Sequence, residues 1–299
     1  IAFKKPFEEV ITPEVLKDIE NTTKPVFDHP MYRVYPKTKK ELLKEGVEYP
    51  DESELALAQN PEQLPYIGNK WGGKYLRAPE IYFKILEKGK DKLVRLGDIA
   101  EVRFGIKTGA NEFFYLKPVG MTVKEVKEIA EKDPDALIRV KNGAGWEGEI
   151  EAEFLKPLIK SLKNIEKIIV ELDKIEFLML KVKNSDLKNR NSLNVKNYIK
   201  WGINNNTHLI PTCKSRNFYY ELPDIRGEFS FNMSSGDRYL IPINPEKYFI
   251  DARLYAIKKK VSVNNKILIS VNTSYLIMYW EVAGRVMTGS LPLLDLKVY

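Results

Sequence analysis

The 299-residue chain is 43% apolar and 30% charged, with a net charge of +7, one cysteine (Cys213) and two histidines (His29, His208). This composition suits a core-forming globular protein of one large or two ordinary domains, and it excludes an internal disulfide and a zinc site of Cys/His spacing. The strongest apolar stretch, residues 266–280, is too short to cross a bilayer and no apolar run follows Lys4 and Lys5, so neither a membrane span nor a signal peptide is expected and a reducing cytoplasm is the expected location.

The charge is uneven. Residues 1–154 hold 25 basic and 28 acidic groups, residues 155–200 hold 11 and 5, and residues 201–299 hold 12 and 8. A positive field over the second half attracts polyanions, although a solvated lysine-rich face explains the same charge equally well. The chain opens on Ile1 rather than Met, which suggests a piece of a longer polypeptide.

In chain order, Thr12-Pro13 predicts a helix start, and Thr38 with Glu41 forms a capping box ahead of Leu42, ending at Gly46. Residues 47–70, rich in Pro, Asp, Glu and Gln, read as a connecting segment. Pro79 opens a helix that runs to Gly89. Residues 93–96 and 99–104 read as strands, broken by the polar loop 105–111, after which 113–116 resumes as a strand, so that the loop reads as a hairpin. Thr122 and Glu125 form a second capping box, with Val126, Ile129 and Ala130 as the apolar stripe. Further strands are expected at 137–141, 167–171, 175–182, 239–243 and 248–257. Residues 154–163 read as a short helix or an extended connector, 183–197 as an exposed loop and 263–283 as a helix. Strands that do not strictly alternate with helices predict an α+β fold, mixed and strand-rich, with several helices and a helical N-terminal connector.

Several motifs tempt and fail. Residues 143–148 (Gly-Ala-Gly-Trp-Glu-Gly) match a dinucleotide fingerprint, but Glu149, Glu151 and Glu153 would repel a pyrophosphate, so a hairpin turn is the stronger reading. Lys107-Thr108-Gly109 lacks the upstream S-x-x-K of penicillin-binding enzymes. Asn60-Pro61-Glu62 and Asn244-Pro245-Glu246 approach the [DNS]-P-P-[YFW] motif of N6-adenine methyltransferases, but both lack its second proline and its aromatic. No catalytic residue is therefore expected on this chain.

A set of ordered segments points elsewhere. WGGKYLRAPEIYF (71–83) is followed by LGDIAEVRFGIKTGANEFFYL (96–116). EFLKPLIKS (153–161), PTCKSRNFY (211–219), VNTS (271–274) and GRVMTG (284–289) come after. Together they resemble the target-recognition region of TaqI-type adenine-specific DNA methyltransferases. The LGDIAE opening is also similar to specificity subunits of type I restriction systems. The family is often Trp at the position of Phe218, and it is glycine-rich where this chain has 272–274 and 290–292. The resemblance implies residues 1–70 as a connector or tail of a catalytic part and 71–299 as a DNA target-recognition domain. It also implies an absent methyltransferase domain that binds S-adenosylmethionine, double-stranded DNA as partner, and a flipped target adenine. No cofactor is expected in this chain itself.

A reader of this kind needs phosphate anchors and base-edge contacts. Lys107, Thr108 and Asn111 in the loop 105–111 are the candidate base readers, since Asn pairs bidentately with adenine and Lys reaches guanine or phosphate. Their alternative is plain turn geometry. Lys214, Arg216 and Tyr219 suit backbone contact, against surface ion pairs with Glu221 or Asp224. Arg238 follows a turn in which Asp237 could pair with it. Arg285 is a phosphate clamp or a helix C-terminal charge. Lys156, Lys160 and Lys163 share one face if their segment is helical. Competing readings are a fused restriction-modification enzyme with an upstream nuclease, a type I specificity-type module, and a nucleotide-binding enzyme that uses residues 143–148.

Overall fold

Threonine caps begin three of the helices in the computed structural model, which describes residues 1–24, 26–45, 75, 78–94, 96–188, 194–233, 239–260 and 270–283. After the short α1 (Phe7–Val10), α2 (Pro13–Glu20) starts where Thr12 Oγ1 accepts the Val15 amide at 3.3 Å. Ahead of α3 (Lys39–Glu45), the Thr38 amide donates to Glu41 Oε2 at 2.9 Å and the Glu41 amide donates to Thr38 Oγ1 at 3.2 Å. The Thr38 amide and hydroxyl hold the Glu41 carboxyl down to about 2. These reciprocal bonds satisfy two amides that no helical carbonyl can reach.

The described residues form two compact units, one from residues 1–93 and 273–283 and one from residues 94–272. The first unit holds α1 to α3, α4 (Glu80–Lys88) and the terminal helix α11 (Ser274–Ala283). It also holds strands β1 (Ala2–Phe3), β2 (Phe27–Asp28) and β3 (Tyr32–Val34), an antiparallel sheet ordered β1-β3-β2 that the sequence reading lacks. Val10, Tyr32 and Val34 make one core, and Ala78, Tyr82 and Val282 make another. In the second core Tyr82 stacks on Tyr279 at 6.0 Å. The boundary expected after residue 70 lies outside the described residues. The contacts divide the chain between residues 93 and 94, because α4 packs with α11.

The second unit carries two sheets, and the whole is a mixed α+β fold. Strands β4 (Ala100–Phe104), β10 (Phe229–Asn232) and β12 (Leu254–Lys259) form an antiparallel sheet in the order β10-β12-β4. The larger sheet comprises β5 (Tyr115–Pro118), β6 (Leu137–Asn142), β7 (Glu147–Glu151), β8 (Leu155–Ile159), β9 (Phe177–Leu180) and β11 (Phe249–Ile250). Its order is β11-β8-β9-β5-β6-β7, antiparallel except for β11 beside β8. Helix α7 (Val123–Lys132) packs Val123 and Val126 into this unit, and its Thr122–Glu125 capping box is complete. The fully buried Phe114, Leu116, Ile138, Ile150 and Leu158 belong to the main core.

Several local expectations are corrected. Among the described residues of 93–96, none lies in a strand. Leu93 and Val94 stay exposed and α5 (Leu96–Ile99) follows. The loop 105–111 is no hairpin, because β4 and β5 belong to different sheets. Phe113 and Phe114 lie in the helical turn α6 (Asn111–Phe114), since both rings go inward and a strand would send them to opposite faces. Residues 155–159 form a strand between β11 and β9, so Lys156, Lys160 and Lys163 share no helical face. Residues 167–171 and 239–243 meet in a single parallel bridge, Ile169 to Ile243, rather than as strands. The expected strand 248–257 splits into β11 and β12 at a turn where Asp251 Oδ1 accepts the Arg253 amide at 2.8 Å.

The expected loop 183–197 instead supplies α8 (Asn184–Lys188) and the start of α9 (Asn194–Asn204). Helix α9 buries Val195, Tyr198, Ile199 and Gly202, an i, i+3, i+4, i+7 stripe. Its start is capped from a distant strand. Buried Glu151 accepts the Asn194 amide at 2.8 Å and the Val195 amide at 3.0 Å, which complements the positive end of the helix dipole.

Candidate nucleic-acid interface

The loop after β4 is tied down at its first residues. The Gly105 amide donates to Leu254 O at 2.9 Å and the Ile106 amide to Ile250 O at 2.7 Å. A Cβ on Gly105 would lie 2.2 Å from Asp251 O, so this approach of two backbones requires glycine. Ile106 is fully buried, and the chain then turns outward at Lys107.

Thr108 is 1% exposed. Its hydroxyl donates to Asn111 Oδ1 and accepts the Ala110 amide at 3.1 Å. Gly109 adopts φ +80°, and a Cβ there would lie 2.5 Å from Thr212 Cβ. The loop therefore presses directly on the helical turn α10 (Pro211–Lys214).

Arg216 joins the two segments. Its Nη2 donates to Lys107 O at 2.9 Å and to Thr108 O at 2.6 Å, and its Nη1 donates to Tyr219 O at 3.2 Å. The guanidinium also lies 5.6 Å from the Phe114 ring centroid. Behind it the buried Cys213 thiol points at Thr108 O at 3.6 Å, and burial pushes this thiol up, away from a reactive thiolate. Tyr219 donates its hydroxyl to Ile199 O, and its ring packs 5.7 Å from Phe113.

The sequence candidates therefore separate by depth. Lys107, Asn111 and Lys214 are exposed around one anchored junction. Thr108, Arg216 and Tyr219 point into the protein, where they hold that junction together. The expected ion pairs of Lys214 or Arg216 with Glu221 or Asp224 do not form. Asp224 pairs with Arg226 at 2.6 Å, and Glu221 accepts the Asn184 amide. Arg238 and Arg285 lie outside the described residues.

The glycine motif 143–148 sits beside the same junction. It is the turn between β6 and β7, with Gly145 at φ +86°. Asn142 Oδ1 accepts the Ala144 and Trp146 amides, each at 2.9 Å, and Gly143 N donates to Glu112 O at 3.2 Å. A strand follows the turn where a dinucleotide site needs a helix N-terminus, so the motif closes a hairpin. Asn244 is likewise structural. It is fully buried and bonds Gly227 O at 3.0 Å and Tyr248 O at 2.9 Å through Nδ2. Among the described residues no group of His, Cys, Asp or Glu is placed to hold a metal ion, and no helix is long and apolar enough to cross a membrane.

The sequence reading missed the support beneath this surface. Phe113, Tyr198 and Trp201 stack nearly parallel, at 4.8 Å and 5.5 Å between successive centroids, and Trp146 lies 4.3 Å from Tyr198. The Tyr198 hydroxyl donates to Phe113 O at 2.6 Å and accepts from Asn142 Nδ2 at 2.9 Å. The apolar spacing of α9 is the signal that could have found this layer. No protein-family model matches the chain, and no curated protein matches it.

Proposed function

We propose that this chain reads double-stranded DNA as the C-terminal part of an S-adenosylmethionine-dependent, adenine-specific DNA methyltransferase of a restriction-modification system. The observation that carries this reading is the joining of two separate motif segments, 105–111 and 211–219, into one junction by Arg216. Around it Lys107, Asn111 and Lys214 are left exposed, which are the side-chain types that contact base edges and phosphates. The order of the resembling segments and the positive charge after residue 154 support it further. On this reading the cofactor and the amino-group chemistry belong to a separate methyltransferase domain that receives the flipped adenine.

The test is duplex binding by the purified chain, followed by fluorescence anisotropy over a salt series and by selection from a randomised duplex pool. Salt-dependent binding with a recovered adenine-containing consensus is expected. Equal affinity for every sequence, or no binding at low salt, would sink the reading. Tight binding of S-adenosylmethionine by this chain alone would also contradict it.

A further inference from the structure

A second cationic site lies in the same unit, in a cleft of about 200 Å³ lined by Lys160, Lys174, Arg253, Glu176 and Phe177. Its floor is apolar, with Leu158, Ile165 and Ile175 all buried. Lys160 directly follows β8, Lys174 ends the helical turn before β9, and Arg253 stands in the turn between β11 and β12. Lys117 on β5 adds a fourth cation. Its Nζ lies 4.5 Å from the Phe177 centroid, and that of Lys160 lies 3.9 Å from the same ring.

The carboxylates nearby are already committed. Asp251 accepts the Tyr115 hydroxyl at 2.7 Å on one oxygen and Arg253 Nε at 3.1 Å on the other. Glu176 accepts Asn164 Nδ2 at 2.9 Å and faces Lys117 at 3.5 Å. Among the described residues no carboxylate lies within ion-pair distance of Lys160. Lys174 lies 3.9 Å from Asp173, so four cations share three carboxylates in a partly enclosed space, and none of the three is within ion-pair distance of Lys160. Desolvation, with the like charges of Arg253 and Lys117, holds the Lys160 amine below its ordinary value. An incoming anion relieves that repulsion and takes up donors that the protein leaves open.

We propose that this cleft binds a phosphate group, carried either by a nucleic-acid backbone or by a free nucleotide, with Lys160, Arg253 and Lys174 as its ligands. Phosphate fits because it offers several acceptor oxygens to donors that converge from three separate segments. The site stands apart from the junction at Arg216 and does not depend on the DNA reading, because inorganic phosphate alone tests it.

The experiment titrates the whole chain with inorganic phosphate, with adenosine monophosphate and with a short duplex, by calorimetry and by chemical-shift mapping. Saturable phosphate binding is expected, weakened on the order of tenfold in Lys160→Gln. Lys174→Gln should weaken it less, and Lys163→Gln, outside the cleft, should leave it unchanged. Lys160 has no ion pair to lose among the described residues, so Lys160→Gln should keep the native melting temperature. The same loss with the mononucleotide, with duplex binding intact, identifies a free nucleotide as the source. A loss on the duplex, with a salt slope shallower by about one counterion, identifies a backbone phosphate. Absence of saturable phosphate binding, or equal binding by wild type and Lys160→Gln, overturns the proposal. A chain that ignores duplex DNA but binds phosphate at Lys160 would sink the proposed function and leave this site standing.

Discussion

The junction at Arg216 and the cleft at Lys160 are both cationic, and they use their cations in opposite ways. Arg216 directs its guanidinium to three backbone carbonyls, so its charge fastens the loop 105–111 to the chain around α10. Lys160 has no carboxylate within ion-pair distance among the described residues and shares the Phe177 ring with Lys117. The difference teaches that a basic residue near a surface is read by where its donors go. Donors that end on protein carbonyls make a brace, and donors left open in a partly enclosed cleft make a candidate site.

Four groups of variants sharpen or break this contrast, ranked by expected loss of stability. Arg216→Ala should cost the most, about 2–3 kcal/mol in urea unfolding, because it strands part-buried carbonyls. Arg216→Lys should recover only part, since one ammonium cannot serve a planar fork of acceptors. Weaker DNA binding with stability lost by less than about 0.5 kcal/mol would instead return Arg216 to the DNA-contacting residues.

Gly109→Ala should cost about 1–2 kcal/mol, because φ +80° is strained for any L side chain and Thr212 occupies the space. Thr212→Gly in the same background should restore only the steric part. Full recovery would show that the backbone conformation carries no strain.

Thr122→Ala touches neither cationic region and should cost about 1 kcal/mol as a lost cap. It also carries a pH signature. The bonds from the Thr122 amide and hydroxyl hold the Glu125 carboxyl below its ordinary value. The folded state therefore binds that proton less readily than the unfolded chain. The contribution is complete above the unfolded carboxylate value, about 4.3, and is lost as the pH falls through the lower folded one. Thermal melts of Glu125→Gln from pH 7 to pH 3 should show a smaller acid-induced loss than wild type. Parallel curves would remove the carboxylate from the account.

Lys107→Ala and Lys214→Ala should change stability by less than about 0.5 kcal/mol, as exposed positions do, and Asn111→Ala by about 1 kcal/mol, because its Oδ1 accepts the hydroxyl of the buried Thr108. Their effect belongs to binding. Lys214→Ala should make the salt slope shallower by about one, and Asn111→Ala should relax discrimination at one base pair by about 1–3 kcal/mol. A uniform loss over all sequences in Asn111→Ala would make that residue a phosphate contact.

Local signals were legible wherever a few adjacent residues carry the physics. Thr12, Thr38 and Thr122 cap helices as their side chains require, and Asn142 with Gly145 closes the turn that 143–148 had suggested. The misreadings share a cause: each element takes its shape from a distant partner. Helix α9 is capped by Glu151, more than forty residues away, and an Asn- and Lys-rich stretch hides its apolar stripe. Strand β8 is apolar almost throughout, so its periodicity could not separate strand from helix until β9 and β11 flanked it. Of the candidate site, the residue types and segments were legible. Which side chains face outward was not, because Thr108, Arg216 and Tyr219 are polar enough to suit either role.

The sequence by itself determined the fold class, the helix caps, the turn at 143–148 and the two segments that meet at the junction, because spacing and local hydrogen bonding carry these. Only the tertiary structure decided that β4 and β5 enter different sheets, that Arg216 braces rather than reaches out, and that Lys160 stands without a counterion among the described residues. Those outcomes depend on long-range pairing, and a hydrogen-bond donor acquires its role only when the fold brings, or fails to bring, an acceptor to it.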